Sequence, residues 1–323
     1  MDLSDATLAF IRQMGVEWVT MFGPGAPTWS PEGRVVLRPS DAGRRPGPWT
    51  EAEIRGIQQR LESAGLRLGN LMLHDFRSVV LGRPGRDQEI EWVQESIRVA
   101  GRLGLPIVEY NFYGLRAMGG YYNANARAGA TMAAHDSERI KDLPVLPDVG
   151  EHTEEELWER YTHFLKAVVP VAESAGVRLA VHPNDPPAPK FRGVAQILGS
   201  MEGLKRLVDI VRSPANGITL DTGVTREMGH DPIEAIRYFG RRDQINHVHF
   251  RNVIMKVPRL KYSEVFIDDG EVDMLAALMA LREVRYPRLL FPDHVPRFPG
   301  DDVGRVGWAY TVGYIRALIR ASR

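Results

Sequence analysis

The chain has 323 residues with 41 acidic and 41 basic side chains, so its formal net charge is zero, and it contains no cysteine. Electrical neutrality gives no reason to expect nucleic acid or an anionic membrane as a partner, and the missing thiols exclude disulfides and thiolate metal sites. A hydrophobic content of 44% and a charged content of 25% are typical of a soluble globular protein. We expect neither a signal peptide nor a membrane span, and therefore a cytoplasmic protein.

Apolar runs that predict strands alternate along the chain with patterns that predict helices. After a helical pattern at the start, the predicted strands are 17–23, 66–73, 105–113, 177–182, 216–221, 245–253 and 287–294. The predicted helices are 49–65, 87–104, 153–176, 200–211, 231–240, 272–284 and 308–321. Strands that are continuously apolar and alternate with helices indicate a parallel sheet that is buried on both faces.

The loop after the first predicted strand favours a barrel over a nucleotide-binding sheet. GPGAP at 23–27 resembles a glycine-rich phosphate loop only loosely, and no helix follows it directly. We therefore predict a single-domain α/β protein, a (β/α)8 TIM barrel over 1–323 whose first strand is missing or atypical. The polar segment 114–152 follows the C-terminal end of a strand, so we expect a long, lid-like loop on the face where barrels place their active sites.

A potential metal ligand lies at the end of each of four successive strands. These residues are His182, Asp221, His249 and Asp293, at intervals of 39, 28 and 44 residues, each about one βα repeat. Taken alone, each is more often a structural residue, but consecutive strand ends are neighbours on a barrel rim, so the four should converge. Two imidazoles and two carboxylates are a ligand set that suits Mn²⁺, Fe²⁺, Co²⁺ or Mg²⁺.

Polar residues near these strand ends predict an acidic substrate. Arg251 should point to the same face as His249, and a guanidinium can clamp a carboxylate in two parallel hydrogen bonds; a structural ion pair is the alternative. His247 would lie deeper in the barrel, as a packing residue or a support for the ligands. From their position after the third strand, Asn111 and Arg116 are candidates for binding sugar hydroxyls or a carboxylate.

A further histidine lies beside the last ligand. His294 directly follows Asp293, so its imidazole points elsewhere but stays within reach of anything bound to the metal. A histidine that titrates near neutral pH is a natural acid/base group, and a solvent-facing loop histidine is the alternative interpretation.

Five segments, in this order along the chain, resemble landmarks of the mannonate dehydratase family: KAVVPVAESAGVRLAVHPNDPP, SPANGITLDTG, HVHFRNV, DDGEVDM and FPDH. The resemblance implies a xylose-isomerase-like (β/α)8 barrel with a divalent metal, usually manganese. It also implies a hydro-lyase that converts D-mannonate to 2-keto-3-deoxygluconate and water. The family's ligands fall on His182, Asp221, His249 and Asp293, and its acid/base histidine falls on His294.

Three positions depart from the family pattern. Asp221 stands where the family usually has a cysteine, which keeps the charge but replaces soft sulfur with hard oxygen. Asn184, in HPNDPP, replaces an aspartate at a place where the resemblance implies substrate binding. The family's tyrosine falls on Trp308 or Tyr310, and we expect Tyr310 to share the acid/base work with His294.

The implied chemistry is consistent with these residues, and two alternatives stay open. Dehydration of an aldonate removes the proton next to the carboxylate, so the negative charge that develops needs positive charge beside it. We expect a small sugar acid as substrate and a homo-oligomeric protein. The alternatives are a metal-dependent sugar isomerase or epimerase and a non-catalytic barrel that binds a sugar acid or a metal. Isomerase sites usually carry two glutamates, and strands that end in His182 and Asp293 favour a lyase.

Overall fold

The computed structural model describes residues 3–25, 27–29, 35–37, 46–74, 76–256 and 260–322. The helices are α1 (Asp5–Gln13), α2 (Glu51–Glu62), α3 (Arg77–Leu81), α4 (Arg86–Arg102), α5 (Glu154–Ser174), α6 (Met201–Ile210), α7 (Thr222–Glu227), α8 (Pro232–Gly240), α9 (Met274–Glu283) and α10 (Arg305–Ala321). The strands are β1 (Trp18–Phe22), β2 (Pro27–Trp29), β3 (Val35–Leu37), β4 (Arg67–Leu73), β5 (Ile107–Asn111), β6 (Tyr121–Asn125), β7 (Thr131–Asp136), β8 (Arg178–His182), β9 (Lys190–Phe191), β10 (Val194–Ala195), β11 (Asn216–Asp221), β12 (Ile245–His249), β13 (Asn252–Lys256), β14 (Lys261–Val265) and β15 (Leu290–Phe291). None of the described helices is long and apolar enough to cross a bilayer.

Seven strands form one parallel sheet that curls into a nearly closed barrel. Their order, β1-β4-β5-β8-β11-β12-β15, is their order along the chain, and each lies within one of the seven predicted strands. A methyl group on Gly69 of β4 would lie 2.5 Å from Leu289, beside β15, and 3.3 Å from Trp18 of β1. Side chains from the two ends of the sheet, Leu289 and Trp18, therefore both lie over Gly69, which has no side chain to exclude them. The predicted barrel, without a recognisable first strand, is confirmed.

Local sequence signals set the ends of the long helices. Thr50 and Glu53 form a capping box at the start of α2, and Thr153 and Glu156 form another at the start of α5. In each box, the hydroxyl and the carboxylate satisfy backbone N–H groups that have no partner within the helix. Gly176 follows α5 with a φ of +68°, a left-handed conformation that ends a helix at little cost for glycine.

The prediction of one strand over 245–253 is wrong, because two strands in different sheets occupy this range. β12 ends at His249, and β13 begins at Asn252. Between them, the backbone N–H of Arg251 donates to the hydroxyl of Thr222, 3.0 Å away, and not to a neighbouring strand. The apolar run continues through the turn, so hydrophobicity alone does not mark where the chain leaves the barrel.

The segment 114–152 contains two strands, β6 and β7, where a long loop was predicted. They join β13 and β14 in a four-stranded antiparallel sheet with the order β13-β14-β7-β6, which we call the accessory sheet. β6 (YYNAN) and β7 (TMAAHD) are rich in small and polar residues, so neither resembles a buried strand in sequence. The role of this segment as a lid stays a prediction.

The accessory sheet is tied to the loop that follows β8. The hydroxyls of Tyr121, on β6, and Tyr262, on β14, both donate to Oδ1 of Asp185. The imidazole of His135, on β7, stacks on the ring of Tyr262 with 5.4 Å between their centroids. These contacts hold the sheet at the C-terminal end of the barrel strands.

We expect Gly120→Ala to destabilise the protein, because a methyl group does not fit at this position. It would lie 2.3 Å from Nε2 of His135, whose ring is held against Tyr262. Overpacking of this kind costs about 1–3 kcal/mol and should appear as a lower Tm and an earlier midpoint of chemical unfolding.

The control for this prediction is Gly56→Ala in α2. No atom lies within 4 Å of the new methyl group there, and alanine should stabilise the helix by about 0.5–1 kcal/mol. Equal stability of the two variants would contradict the close packing of His135 against Gly120.

Candidate metal centre

The four predicted metal ligands lie together at the C-terminal end of the barrel. His182, Asp221, His249 and Asp293 each offer one ligand atom, and these atoms all lie within 4.8 Å of one another. Nε2 of His182 lies 3.1 Å from Nδ1 of His249. Oδ2 of Asp221 lies 3.6 and 3.7 Å from these two nitrogens, and Oδ2 of Asp293 lies 3.4 Å from Nδ1 of His249.

Strand register brings the ligands together. Asp221, the last residue of β11, pairs with His249, the last residue of β12. His182 ends β8 and pairs with Asn111, which ends β5. Asp293 follows β15 with a φ of +46°, a backbone conformation that is uncommon for a residue other than glycine and that recurs at functional sites.

Hydrogen bonds orient two of the ligands toward the centre. Nδ1 of His182 lies 2.8 Å from the carbonyl oxygen of Pro183, which only accepts, so Nδ1 carries the proton and Nε2 presents a lone pair. The hydroxyl of Tyr113 donates to the same carbonyl. Oδ1 of Asp221 accepts the N–H of Val224, 2.7 Å away, and thereby caps α7, while Oδ2 faces the imidazoles.

This set of donor atoms fits a divalent cation. The facing nitrogens of His182 and His249 are 3.1 Å apart, and two lone pairs at this distance repel each other unless a positive ion or a proton lies between them. Ligand atoms bound to one ion at about 2.1 Å are roughly 3.0–3.4 Å apart. The four distances given above run from 3.1 to 3.7 Å, close to that range.

Arg251 lies buried beside the cluster, and carboxylates surround its guanidinium. Its Nε, Nη1 and Nη2 lie 2.9, 2.9 and 3.3 Å from carboxylate oxygens of Asp221, Glu227 and Asp185, respectively. This corresponds to the structural ion pair that was the alternative interpretation, and substrate binding by Arg251 stays a prediction. Burial raises the pKa of Glu227 well above its ordinary value. Burial acts on the pKa of Asp221 in the same direction, but Arg251 and His182 together outweigh it, so this pKa is lowered.

His294 lies between two carboxylates at the edge of the cluster. Its Nδ1 is 2.7 Å from Oε2 of Glu264, on β14, and its Nε2 is 3.5 Å from Oδ2 of Asp293. Burial lowers the pKa of His294, but Asp293 and Glu264 outweigh it and raise the pKa to about 9. The accessory sheet therefore contributes a charged group to the site. The acid/base role of His294 stays a prediction.

Two of the predicted substrate-binding residues have polar atoms near the cluster. Oδ1 of Asn111 is buried without a hydrogen-bond partner among the described residues, and its Nδ2 lies 3.8 Å from the sulfur of Met72. Arg116 is partly buried, and its Nε donates to the carbonyl oxygen of Asp185, 3.0 Å away. Asn111 thus has an acceptor that a ligand can satisfy, and Arg116 brings a positive charge to Asp185.

The other two predicted site residues, Asn184 and Tyr310, form hydrogen bonds with residues outside the metal cluster. Nδ2 of Asn184 donates to Oε1 of Gln196, 2.8 Å away, and its Oδ1 accepts the N–H of Leu198 at 2.7 Å, so this amide holds the proline-rich loop in place. Tyr310 lies partly exposed on α10, with its hydroxyl 3.3 Å from Nη2 of Arg127. The substrate-binding role of Asn184 and the catalytic role of Tyr310 stay predictions.

Sequence reasoning missed four buried carboxylates at the site: Asp185, Glu227, Glu264 and Glu109. Oε1 of Glu109 lies 3.2 Å from Nε2 of His249. Burial raises the pKa of Glu109, but the nearby imidazoles, His249 first, outweigh it and hold the pKa below its ordinary value. A glutamate inside the apolar run LPIVEYNFY was the available signal, because a carboxylate is seldom buried unless it is paired.

The sequence is similar to those of mannonate dehydratases. Residues 124–322 match the sequence model of D-mannonate dehydratase (UxuA). A mannonate dehydratase of Streptococcus equi subsp. zooepidemicus is 30% identical over 298 residues, which cover 84% of this chain and 80% of that protein. Mannonate dehydratase 2 of Halalkalibacterium halodurans is 29% identical over 302 residues, covering 84% of this chain and 85% of that protein.

The fold is similar to those of solved structures. The crystal structure of mannonate dehydratase from Streptococcus suis serotype 2 superposes with a TM-score of 0.77 at 26% identity, covering 95% of this chain and 93% of that one. A xylose isomerase domain protein from Planctomyces limnophilus, with a TM-score of 0.58 at 15% identity over 98% of this chain and 92% of that one, shares the fold alone. The family and barrel predicted from the motifs are confirmed: the chain belongs to the mannonate dehydratase family of hydro-lyases.

Proposed function

We propose that this chain dehydrates an aldonate, D-mannonate being the first candidate, to a 2-keto-3-deoxy sugar acid and water. One observation carries the proposal: two imidazoles and two carboxylates from four successive strands meet within 4.8 Å in a member of the mannonate dehydratase family. The names of the relatives support the choice of substrate, since each is a mannonate dehydratase.

The divalent ion would be held by His182, Asp221, His249 and Asp293. Because these residues offer nitrogen and oxygen but no sulfur, Mn²⁺ is the first choice, with Mg²⁺, Fe²⁺ or Co²⁺ as alternatives. When bound, the ion supplies positive charge that stabilises the negative charge developing on the substrate carboxylate.

Two proton transfers need two groups on the protein. Dehydration takes the proton from the carbon next to the carboxylate and gives a proton to the departing hydroxyl on the following carbon. We assign one transfer to His294, because its Nδ1 lies 2.7 Å from Oε2 of Glu264 and its Nε2 lies 3.5 Å from the candidate ligand Asp293. We assign the other to Tyr310, on α10.

Four polar residues would orient the sugar acid. Asn111 has a buried Oδ1 that can accept a hydrogen bond from a sugar hydroxyl. Arg116 can pair with the substrate carboxylate. The hydrogen bond from its Nε to the carbonyl oxygen of Asp185 holds the guanidinium in place. Arg251 adds positive charge beside the cluster, and Asn184 acts from the loop after β8. The lid role of 114–152, the single domain, the homo-oligomer and the cytoplasmic location stay predictions.

We expect Mn²⁺ to raise the Tm of the metal-free protein, because an ion that binds only the folded state stabilises it. At a free concentration 100 times the Kd, the gain in the free energy of unfolding is about 2.7 kcal/mol. In His182→Ala this gain should be largely lost. His163→Ala is the control, since this imidazole is 51% exposed on α5, and it should respond like the wild type. A full response of His182→Ala would contradict the assigned ligands.

The Mn²⁺-loaded protein should form an α-keto acid when it is incubated with D-mannonate. The product is measured as its semicarbazone, beside a panel of other aldonates and of ketoses. Exchange between an aldose and a ketose would identify an isomerase instead. Tight Mn²⁺ binding without turnover of any member of the panel would identify a non-catalytic barrel.

In the same assay, His294→Ala should lower kcat by about 10²–10⁴-fold, the usual contribution of a general acid or base. Its Mn²⁺ affinity should stay close to that of the wild type, because the ligands are unchanged. Tyr310→Phe should also lower kcat, whereas Tyr314→Phe, one turn further along α10, should not. Full turnover by His294→Ala or by Tyr310→Phe would remove that residue from the mechanism.

A further inference from the structure

We propose that Glu109 is a positioning residue that fixes the proton of His249 on Nε2, so that Nδ1 is free to bind the metal. The inference rests on the proposed metal site, and it does not depend on which reaction the protein catalyses. Glu109 lies on β5, two residues before Asn111, and is 1% exposed. It therefore lies inside the barrel, below the level of the four ligands.

The groups that face the Glu109 carboxylate are hydrogen-bond donors. Oε1 accepts the hydroxyl of Thr219 at 2.8 Å and lies 3.2 Å from Nε2 of His249. Oε2 accepts Nδ2–H of Asn70 at 3.0 Å. Three strands of the barrel, β4, β11 and β12, thus direct donors at one buried side chain.

The orientation of Asn70 explains why a carboxylate is needed here and an amide does not fit. Oδ1 of Asn70 accepts the backbone N–H of Glu109 at 3.1 Å, so its Nδ2 has to face the Glu109 side chain. A glutamine at this position would place its own NH₂ group against either Asn70 or the pair formed by Thr219 and His249. Only a group that accepts with both oxygens satisfies all of these donors.

When Asp221 and Asp293 hold the ion, this arrangement would decide which nitrogen of His249 keeps a proton. Nε2 has no well-aligned hydrogen-bond acceptor among the described residues, and the carboxylate of Glu109 is 3.2 Å from it. The carboxylate favours a proton on Nε2, which leaves the lone pair of Nδ1 directed at His182, 3.1 Å away.

The test is the Mn²⁺ affinity of Glu109→Gln, measured by isothermal titration together with the Tm of the metal-free protein. Loss of a group that orients a metal ligand typically weakens metal binding 10–100-fold, and we expect a loss of that size. Thr311→Val is the control, because this buried hydroxyl on α10 has no described partner, and its Mn²⁺ affinity should equal that of the wild type.

A second variant separates positioning from general packing. In the double variant Asn70→Asp/Glu109→Gln, the new carboxylate can accept the glutamine NH₂ group, and the glutamine oxygen can again accept from His249. Mn²⁺ affinity should recover to within about tenfold of the wild type. Nitrogen-15 spectra of the Mg²⁺-loaded protein should show a proton on Nε2 of His249 in the wild type and in the double variant, and a mixture of tautomers in Glu109→Gln.

Different results would overturn different proposals. Equal Mn²⁺ affinities of the wild type and Glu109→Gln would overturn the role of Glu109 and leave the metal site intact. A loss of affinity that the double variant does not restore would show a packing role and would also overturn the inference. Failure of the wild type to bind Mn²⁺ would overturn the metal site and, with it, the positioning role.

Discussion

The charge balance at the mouth of the barrel depends on the buried guanidinium of Arg251. Carboxylates of Asp221, Glu227 and Asp185 lie 2.9–3.3 Å from its nitrogens, and that of Asp293 lies 3.5 Å away. Buried carboxylates repel one another and lose hydration, so they can be packed this closely only around positive charge. One guanidinium does not neutralise all of them. A divalent ion among the imidazoles and carboxylates would complete the balance, which makes the cluster a reasonable site for a cation.

Arg251 also lies where the barrel and the accessory sheet join. It is in the turn between β12 and β13, and its partner Asp185 accepts the hydroxyls of Tyr121 and Tyr262 from the accessory sheet. The positions of the candidate metal ligands and of the accessory sheet are thus linked through the ion pair between Arg251 and Asp185. The same sheet brings Glu264 to His294, so the candidate acid/base group depends on both parts of the fold.

The barrel and its four candidate ligands were predictable because their signals are local and repeated. Each barrel strand is a short apolar run, and His182, Asp221 and His249 end such runs at intervals of about one βα unit. The accessory sheet was not predictable from hydrophobicity, since a strand such as YYNAN is stabilised by pairing and not by an apolar face. The short helices α3 and α7 have too few residues to show a helical period.

The ion pairs of the buried charged residues could not be predicted from the sequence, for a different reason. Arg251 was recognised as a site residue, but its partners Glu227 and Asp185 come from separate segments, and no pattern in the sequence pairs them. Glu109 was overlooked because a single charge in an apolar strand is easily taken as an interruption of the pattern. Side-chain partners distant along the chain become visible only when the strands are placed side by side.

The accessory sheet has a consequence for the order of folding. Its central pairing joins Lys261 of β14 to Asp136 of β7, and three of the seven barrel strands, β8, β11 and β12, lie between these residues along the chain. Closing so long a loop is entropically costly until the intervening strands and helices have compacted. The barrel should therefore assemble before the accessory sheet. His294 then gains its glutamate neighbour late, and a newly made chain forms the candidate cation site before the candidate acid/base group is complete.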